Sequence, residues 1–301
     1  MSRISAYRAH HVLVQPARYR RELWRLVAGL FLAIAVAFML GSLLRSAIFS
    51  ISPETALEIS GEGADGQGNT PLSLLVLLYS FGLMIVGTFV AARVMQHRDP
   101  WGMIGPLGLA FQQFWAVFKM LVLLLVVMAL LPPYDMGAPL IPNLDTGLWF
   151  MLLPFSLSAV FVQVASEEIL FRGYIQQSLA ARFSSPLFWM IIPALLFGLG
   201  HYLPEEAGEN AWIIALWATV FGILMADLTA RAGTLGPAIA VHMVNNVTAI
   251  LIISVPESLS GLSLATTPYS LADVGEMREW LVIDFALMFV SWLAARVAIR
   301  R

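Results

Sequence analysis

The chain of 301 residues contains no cysteine. Disulfides, thiol nucleophiles and cysteine-ligated metals are thereby excluded. Charge is nearly as scarce, with 12% of residues Asp, Glu, Lys or Arg, about half the roughly 25% of a soluble globular domain. A single lysine, Lys119, stands among the 17 cations. The net charge of −2 leaves no basic footprint of the kind a nucleic-acid-binding domain carries. Internal repeats and inverted pairs of broken helices are also missing, which counts against an ion-coupled transporter. The polar stretches, GEGADGQGNTP (61–71), PPYDMGAPLIPN (132–143) and the segment after the seventh apolar run, are too short for a soluble domain.

Apolar side chains dominate instead, at 59% of the chain. Eight runs, at about 26–44, 71–92, 110–131, 148–170, 187–203, 211–229, 236–254 and 280–296, lie near the ~20 residues a membrane-crossing helix needs. The expected fold class is all-α, a polytopic membrane bundle of about eight helices. The first run starts after Arg25 and meets no charge until Arg45. Its length, and the runs that follow it, make it an uncleaved helix rather than a secretory signal.

Arginines set the orientation, because cytoplasmic loops hold the excess of Lys and Arg. Arg3, Arg8, Arg18, Arg20, Arg21 and Arg25 precede the first run. Arg93 and Arg98, Arg172 and Arg182, and Arg231 occupy alternate connections, and Arg296, Arg300 and Arg301 end the chain. The other connections are acidic, with Glu54, Glu58, Glu62, Asp65, Asp135, Asp145, Glu205, Glu206, Glu209, Glu257, Asp273, Glu276 and Glu279. Only Arg45 and Arg278 interrupt that side. Both termini are expected in the cytoplasm, in a multi-pass protein of the cell (inner) membrane. Residues 1–25 read as a basic arm that orients the chain and meets anionic lipid. Residues 26–301 read as one membrane domain with its motif core at 148–254.

Three polar constellations interrupt the apolar runs. They are Glu167-Glu168-x-x-x-Arg172 in VASEEILFRGYI, Phe197-x-x-x-His201 in FGLGH, and His242-x-x-x-Asn246 in HMVNN. Of five histidines, only His201 and His242 fall in apolar runs. Helix neighbours lie four apart, and Glu before a cation is the favourable order. Glu168 and Arg172 satisfy that rule, whereas Glu167 is turned about 100° away with Phe171 as its i+4 neighbour. Glu168 is expected to be structural and Glu167 chemical, since an unpaired buried carboxylate suits a general base. Extending the fourth helix through GYIQQSLAARF puts the next turn at 183–186. Glu167 and His201 then lie 17 residues on either side of Ser184, roughly 25 Å along each helix, so they can face one another.

Blander readings apply to each residue taken singly. A membrane Glu–Arg pair can be a packing staple, and a lone His or Asn an interhelical hydrogen bond of about 1 kcal/mol. Phe197 reads as packing, a wall that fixes the His201 imidazole. Asp227, Lys119 and Asp284 also fall in the runs. Asp227 and Lys119 read as unaccompanied interface or snorkelling groups, with Asp227 a secondary candidate for the site. The depth of His242, six residues after Gly236-Pro237, stays open: its helix starts deep or its loop re-enters.

Together and in this order, the three constellations resemble the CPBP intramembrane protease family, the CAAX-protease and bacteriocin-processing group. That family's pattern is EExxxR, FxxxH and HxxxN or HxxxD, met here by EEILFR (167–172), FGLGH (197–201) and HMVNN (242–246). The resemblance covers about 80 residues, and the first three runs carry no motif. It implies that Glu167 activates a water which His201 helps to hold. It implies that His242 and Asn246 donate hydrogen bonds to the oxyanion, and that Glu168 and Arg172 position Glu167. Phe197 would support the imidazole. Glu167, His201 and His242 could alternatively ligate zinc, but HExxH spacing is missing, and a metal-free, cofactor-free mechanism is favoured. The expected partners are a peptide or membrane-protein substrate and the lipid bilayer. The competing function is a non-catalytic membrane binder, such as a bacteriocin self-immunity factor.

Overall fold

The computed structural model describes residues 6–60, 68–131 and 139–300. Glu62, Asp65 and Asp135 of the acidic connections, and Arg3 and Arg301 of the basic ends, lie outside the described residues. The helices are α1 (His10–Val14), α2 (Leu23–Ile51), α3 (Pro53–Ser60), α4 (Pro71–Gln96), α5 (Leu107–Ala129), α6 (Thr146–Arg182), α7 (Pro186–Gly200), α8 (Ala211–Ala232), α9 (Gly236–Ile252) and α10 (Val274–Ala298). The helix ends follow local rules. Thr70 and Ser73 form a reciprocal capping box before α4, with Pro71 in its first turn, and Asp145 Oδ1 accepts the Leu148 N–H at the start of α6.

Among the described residues, six helices (α2, α4, α5, α6, α8 with the turn preceding it, and α10) are long and apolar enough to cross a bilayer. The protein is an all-α, multi-pass membrane bundle. The eight expected spans thus divide into six full-length helices and two shorter ones, α7 and α9. At 15 residues, α7 is about 22 Å long, short of the ~30 Å hydrocarbon core. α6 runs beyond its expected end to Arg182, so the turn falls where the extended helix placed it.

α8 forms the centre: 61% of its most apolar window, taken with the preceding turn, is buried, against 11% for α5. α7 packs closely on α8 because small residues meet. A Cβ on Gly222 would lie 2.9 Å from Ala194 Cα, and one on Gly198 would lie 2.6 Å from the Ala215 carbonyl oxygen. Without a hydrophobic drive between helices in lipid, such close approach supplies the packing energy.

α9 starts inside the protein, packed against the arm and the start of α5. Residues 232–242 are all buried, the Leu235 N–H donates to the Ile104 carbonyl at 3.0 Å, and a Cβ on Gly236 would lie 2.1 Å from the Ala110 carbonyl oxygen. The turn before it needs Gly233, at φ 73°, where a Cβ would also meet the Ala9 carbonyl at 2.8 Å.

The basic arm is not simply a lipid-facing signal. His10, Leu13, Val14 and Ala17 are buried against the protein, and the His10 ring lies 4.7 Å from that of Trp189. Asp227 is likewise accompanied: it accepts hydrogen bonds from Tyr7 Oη, Arg231 Nε and Trp292 Nε1, at 2.8, 2.8 and 3.0 Å. It therefore joins the arm, α8 and α10. Arg98, counted above as an orienting charge, is buried and donates to Gln177 Oε1 and the Gly173 carbonyl of α6. At the other end of α6 the connections form a small sheet, with Ile141–Pro142 antiparallel and Ile253–Ser254 parallel to Ala265–Thr266.

Two outcomes are expected. Because the chain has no native thiol, Tyr19→Cys should react with a membrane-impermeant maleimide only after lysis, and Glu54→Cys should react in intact cells. Burial lowers the His10 pKa from 6.5 to about 4, so the unfolded arm binds the proton more readily than the docked arm. Docking is then complete above pH ~6.5 and weakens as pH falls toward 4. Hydrogen exchange of residues 10–17, corrected for intrinsic rates, should report this loss, and His10→Phe should abolish its pH dependence.

Candidate functional site

Glu167 and Glu168 end the regular part of α6, and the next eight residues, Ile169–Gln176, wind as a π-helix. α9 does the same after Asn246, at Thr248–Ile252. Such i→i+5 segments are rare and concentrate at functional sites. Arg172 Nη1 donates to Glu168 Oε1 at 2.9 Å, and both side chains are fully buried. Arg172 Nη2 also donates to the Gly222 carbonyl of α8 at 3.3 Å. Its guanidinium carbon lies 4.9 Å from the centre of the Phe197 ring of α7, a cation–π contact. One arginine thus ties α6, α7 and α8 together.

His242 of α9 closes the set. Its Nδ1 is 2.8 Å from Glu168 Oε1 and its Nε2 is 3.5 Å from Glu167 Oε2. With Nδ1–H donating to the acceptor-only carboxylate, the ring is aimed at Glu167, and Phe221 packs edge-on against it at 4.9 Å. Glu167 is less enclosed, its side chain 14% exposed against 0% for Glu168. The second oxygen of Glu167, Oε2, accepts no hydrogen bond.

Gln163, one turn before Glu167, was not singled out from the sequence. Its Nε2 donates to Glu167 Oε1 at 2.6 Å, and its Oε1 accepts from Asn246 Nδ2 at 2.8 Å. The i, i+4 spacing was its available signal. Asn246 Oδ1 accepts from Asn245, so its amide is oriented, and one of its two N–H groups is left over.

His201 caps α7 and makes no direct bond to this cluster. Its Nδ1 lies 2.8 Å from the Phe197 carbonyl, and among the described residues no hydrogen bond or ion pair joins it to Glu167, Glu168 or His242. Phe197 links the two imidazoles instead, 4.5 Å from the His201 ring and 5.9 Å from that of His242. A zinc site takes three or four ligands within about 2.3 Å of the ion. No group of three His, Cys, Asp or Glu among the described residues could hold a metal ion, so Glu167, His201 and His242 do not fit zinc as they stand.

Residues 148–248 match the family model of the Rce1-like type II CAAX prenyl endopeptidases. This interval contains every residue of the site, from Gln163 to Asn246. A Bacillus subtilis (strain 168) protein, "Uncharacterized protein YyaK", is 24% identical over 260 residues, covering 82% of this chain and 84% of its own. No solved structure matches the chain.

Breaking a buried ion pair from one side leaves an uncompensated charge and costs about 3–5 kcal/mol. Glu168→Ala, which strands Arg172, should therefore markedly lower the thermal midpoint in detergent. Glu167→Gln, in a partly open position with its Gln163 partner retained, should shift it little.

Proposed function

We propose that this membrane protein is an endopeptidase, as the match of residues 148–248 to the Rce1-like CAAX prenyl endopeptidase model supports. It hydrolyses a peptide bond of a membrane-associated protein or peptide with water activated by Glu167. The observation that carries the reading is the division of labour between adjacent carboxylates. Glu168 is fully buried and held at Oε1 by Arg172 and His242, whereas Glu167 has no arginine partner and its side chain stays 14% exposed; the Oε2 of each accepts no hydrogen bond.

Each residue then has a task. Gln163 holds Glu167 Oε1, so Oε2 is the atom that takes the proton from water. His201, with Nδ1–H on the Phe197 carbonyl, presents Nε2 as an acceptor for the water's other hydrogen. As the water oxygen attacks the peptide carbon, negative charge builds on the carbonyl oxygen. The spare N–H of Asn246 and the His242 imidazole, beside Glu167, are the groups that face it. Removing one such donor typically costs 10²–10³ in rate. Glu167 finally passes its proton to the leaving amine, as a general base returning what it took. No metal enters these steps. The setting supported by the arginine distribution is the cell (inner) membrane with both termini in the cytoplasm.

The test compares peptides in membranes and medium from cells carrying wild-type protein, Glu167→Gln or Gln163→Leu at equal protein levels. Glu167→Gln should abolish specific fragments, a loss of about 10²–10⁴ in rate. Gln163→Leu should slow their appearance about tenfold, as for a lost hydrogen bond to a charged group. Identical peptide profiles in all three strains would refute hydrolysis and favour a binder. Chelation should leave cleavage by purified protein unchanged; stoichiometric zinc lost together with activity would overturn the metal-free mechanism.

A further inference from the structure

Lys119, like Asp284 of α10, is a charge well inside a spanning helix that nothing described in the bundle accounts for. It lies 12 residues from the start of α5 and 10 from its end, about 18 and 15 Å along the axis. A lysine side chain spans only roughly 6 Å, so near the middle of a ~30 Å core its ammonium does not reach either headgroup layer. The expectation of snorkelling therefore fails on depth. Nor does Lys119 point inward. Val117 and Leu121 are the buried residues of this stretch, and at 100° per residue Lys119 projects from the opposite side, where it is exposed. Among the described residues no ion pair or hydrogen bond is made to it.

The surface around it is organised. Trp115, Phe118, Lys119, Val122, Leu123 and Val126 line one shallow groove. Their spacing of three to four residues makes a single stripe along α5, the pattern with which one helix receives another. An intramembrane cation facing lipid is costly, so residues of this kind are kept where a partner neutralises them. We propose that this stripe docks one transmembrane helix of another protein, carrying an aspartate or glutamate near its midpoint opposite Lys119. Apolar side chains of that helix would pack on Trp115, Phe118 and Val122. The inference is independent of the hydrolytic reading, because α5 carries no residue of the site.

The experiment uses the full-length protein in liposomes with fluorescent poly-leucine transmembrane peptides holding one central Glu or Gln, and reads association by energy transfer. Wild-type protein should bind the Glu peptide about tenfold more tightly than the Gln peptide, the scale of a good interhelical polar contact. Lys119→Met should erase that preference, and Lys119→Glu should transfer it to a peptide with a central Lys. Equal binding of the two peptides by wild type, or a preference that survives Lys119→Met, overturns the proposal. So does Lys119-dependent association between two labelled copies of the protein, which would make a second copy the occupant of the face.

Discussion

A carboxylate that cannot be left alone organises this molecule. Glu168 is fully buried and shares one oxygen between Arg172 of its own helix and His242 of α9. Taking such charges out of water costs several kcal/mol per ion unless every partner is present and well placed. Much of the surrounding architecture meets that demand. The Gly222 carbonyl receives the second arm of Arg172. Glycine at 198 and 222 lets α7 approach α8 closely, which brings Phe197 under the guanidinium. The buried start of α9 leads into His242, which meets both glutamates.

The same constraint releases Glu167. With Glu168, Arg172 and His242 locked to one another, the adjacent carboxylate is gripped at a single oxygen by Gln163 and stays partly open. Two neighbouring residues of identical chemistry thus occupy unlike environments, which is the usual route by which a site divides structural from chemical work. The π-helical windings after Glu168 and after Val247 fall on the two helices that carry the cluster. Their coincidence with the motif ends is an observation for which the packing offers no separate cause.

Local rules made part of this legible. The i, i+4 rule found Glu168–Arg172 in the sequence, and continuing α6 past the glutamates located the turn to α7. The same rule applies to Gln163–Glu167 and Asp227–Arg231, both present at hydrogen-bonding distance. Contacts such as Tyr7 with Asp227, 220 residues apart, leave no trace in local spacing. The buried face of the arm is only a few residues wide, too short for periodicity to declare it. Two-residue strands have no period at all. The expected facing of Glu167 and His201 rested on equal distance from a turn, and among the described residues no direct hydrogen bond joins the two. The Phe197 ring packs against both imidazoles.

The central claim is that Glu167, and not its better-buried neighbour, carries the chemistry. The most direct measurement is turnover of a natural substrate peptide by purified wild-type and Glu167→Gln protein, reconstituted in liposomes with equal folded fractions. With Glu167 as the base, kcat falls by about 10²–10⁴ while substrate binding is retained, the scale expected for loss of a general base. Comparable turnover by the two proteins would contradict this claim.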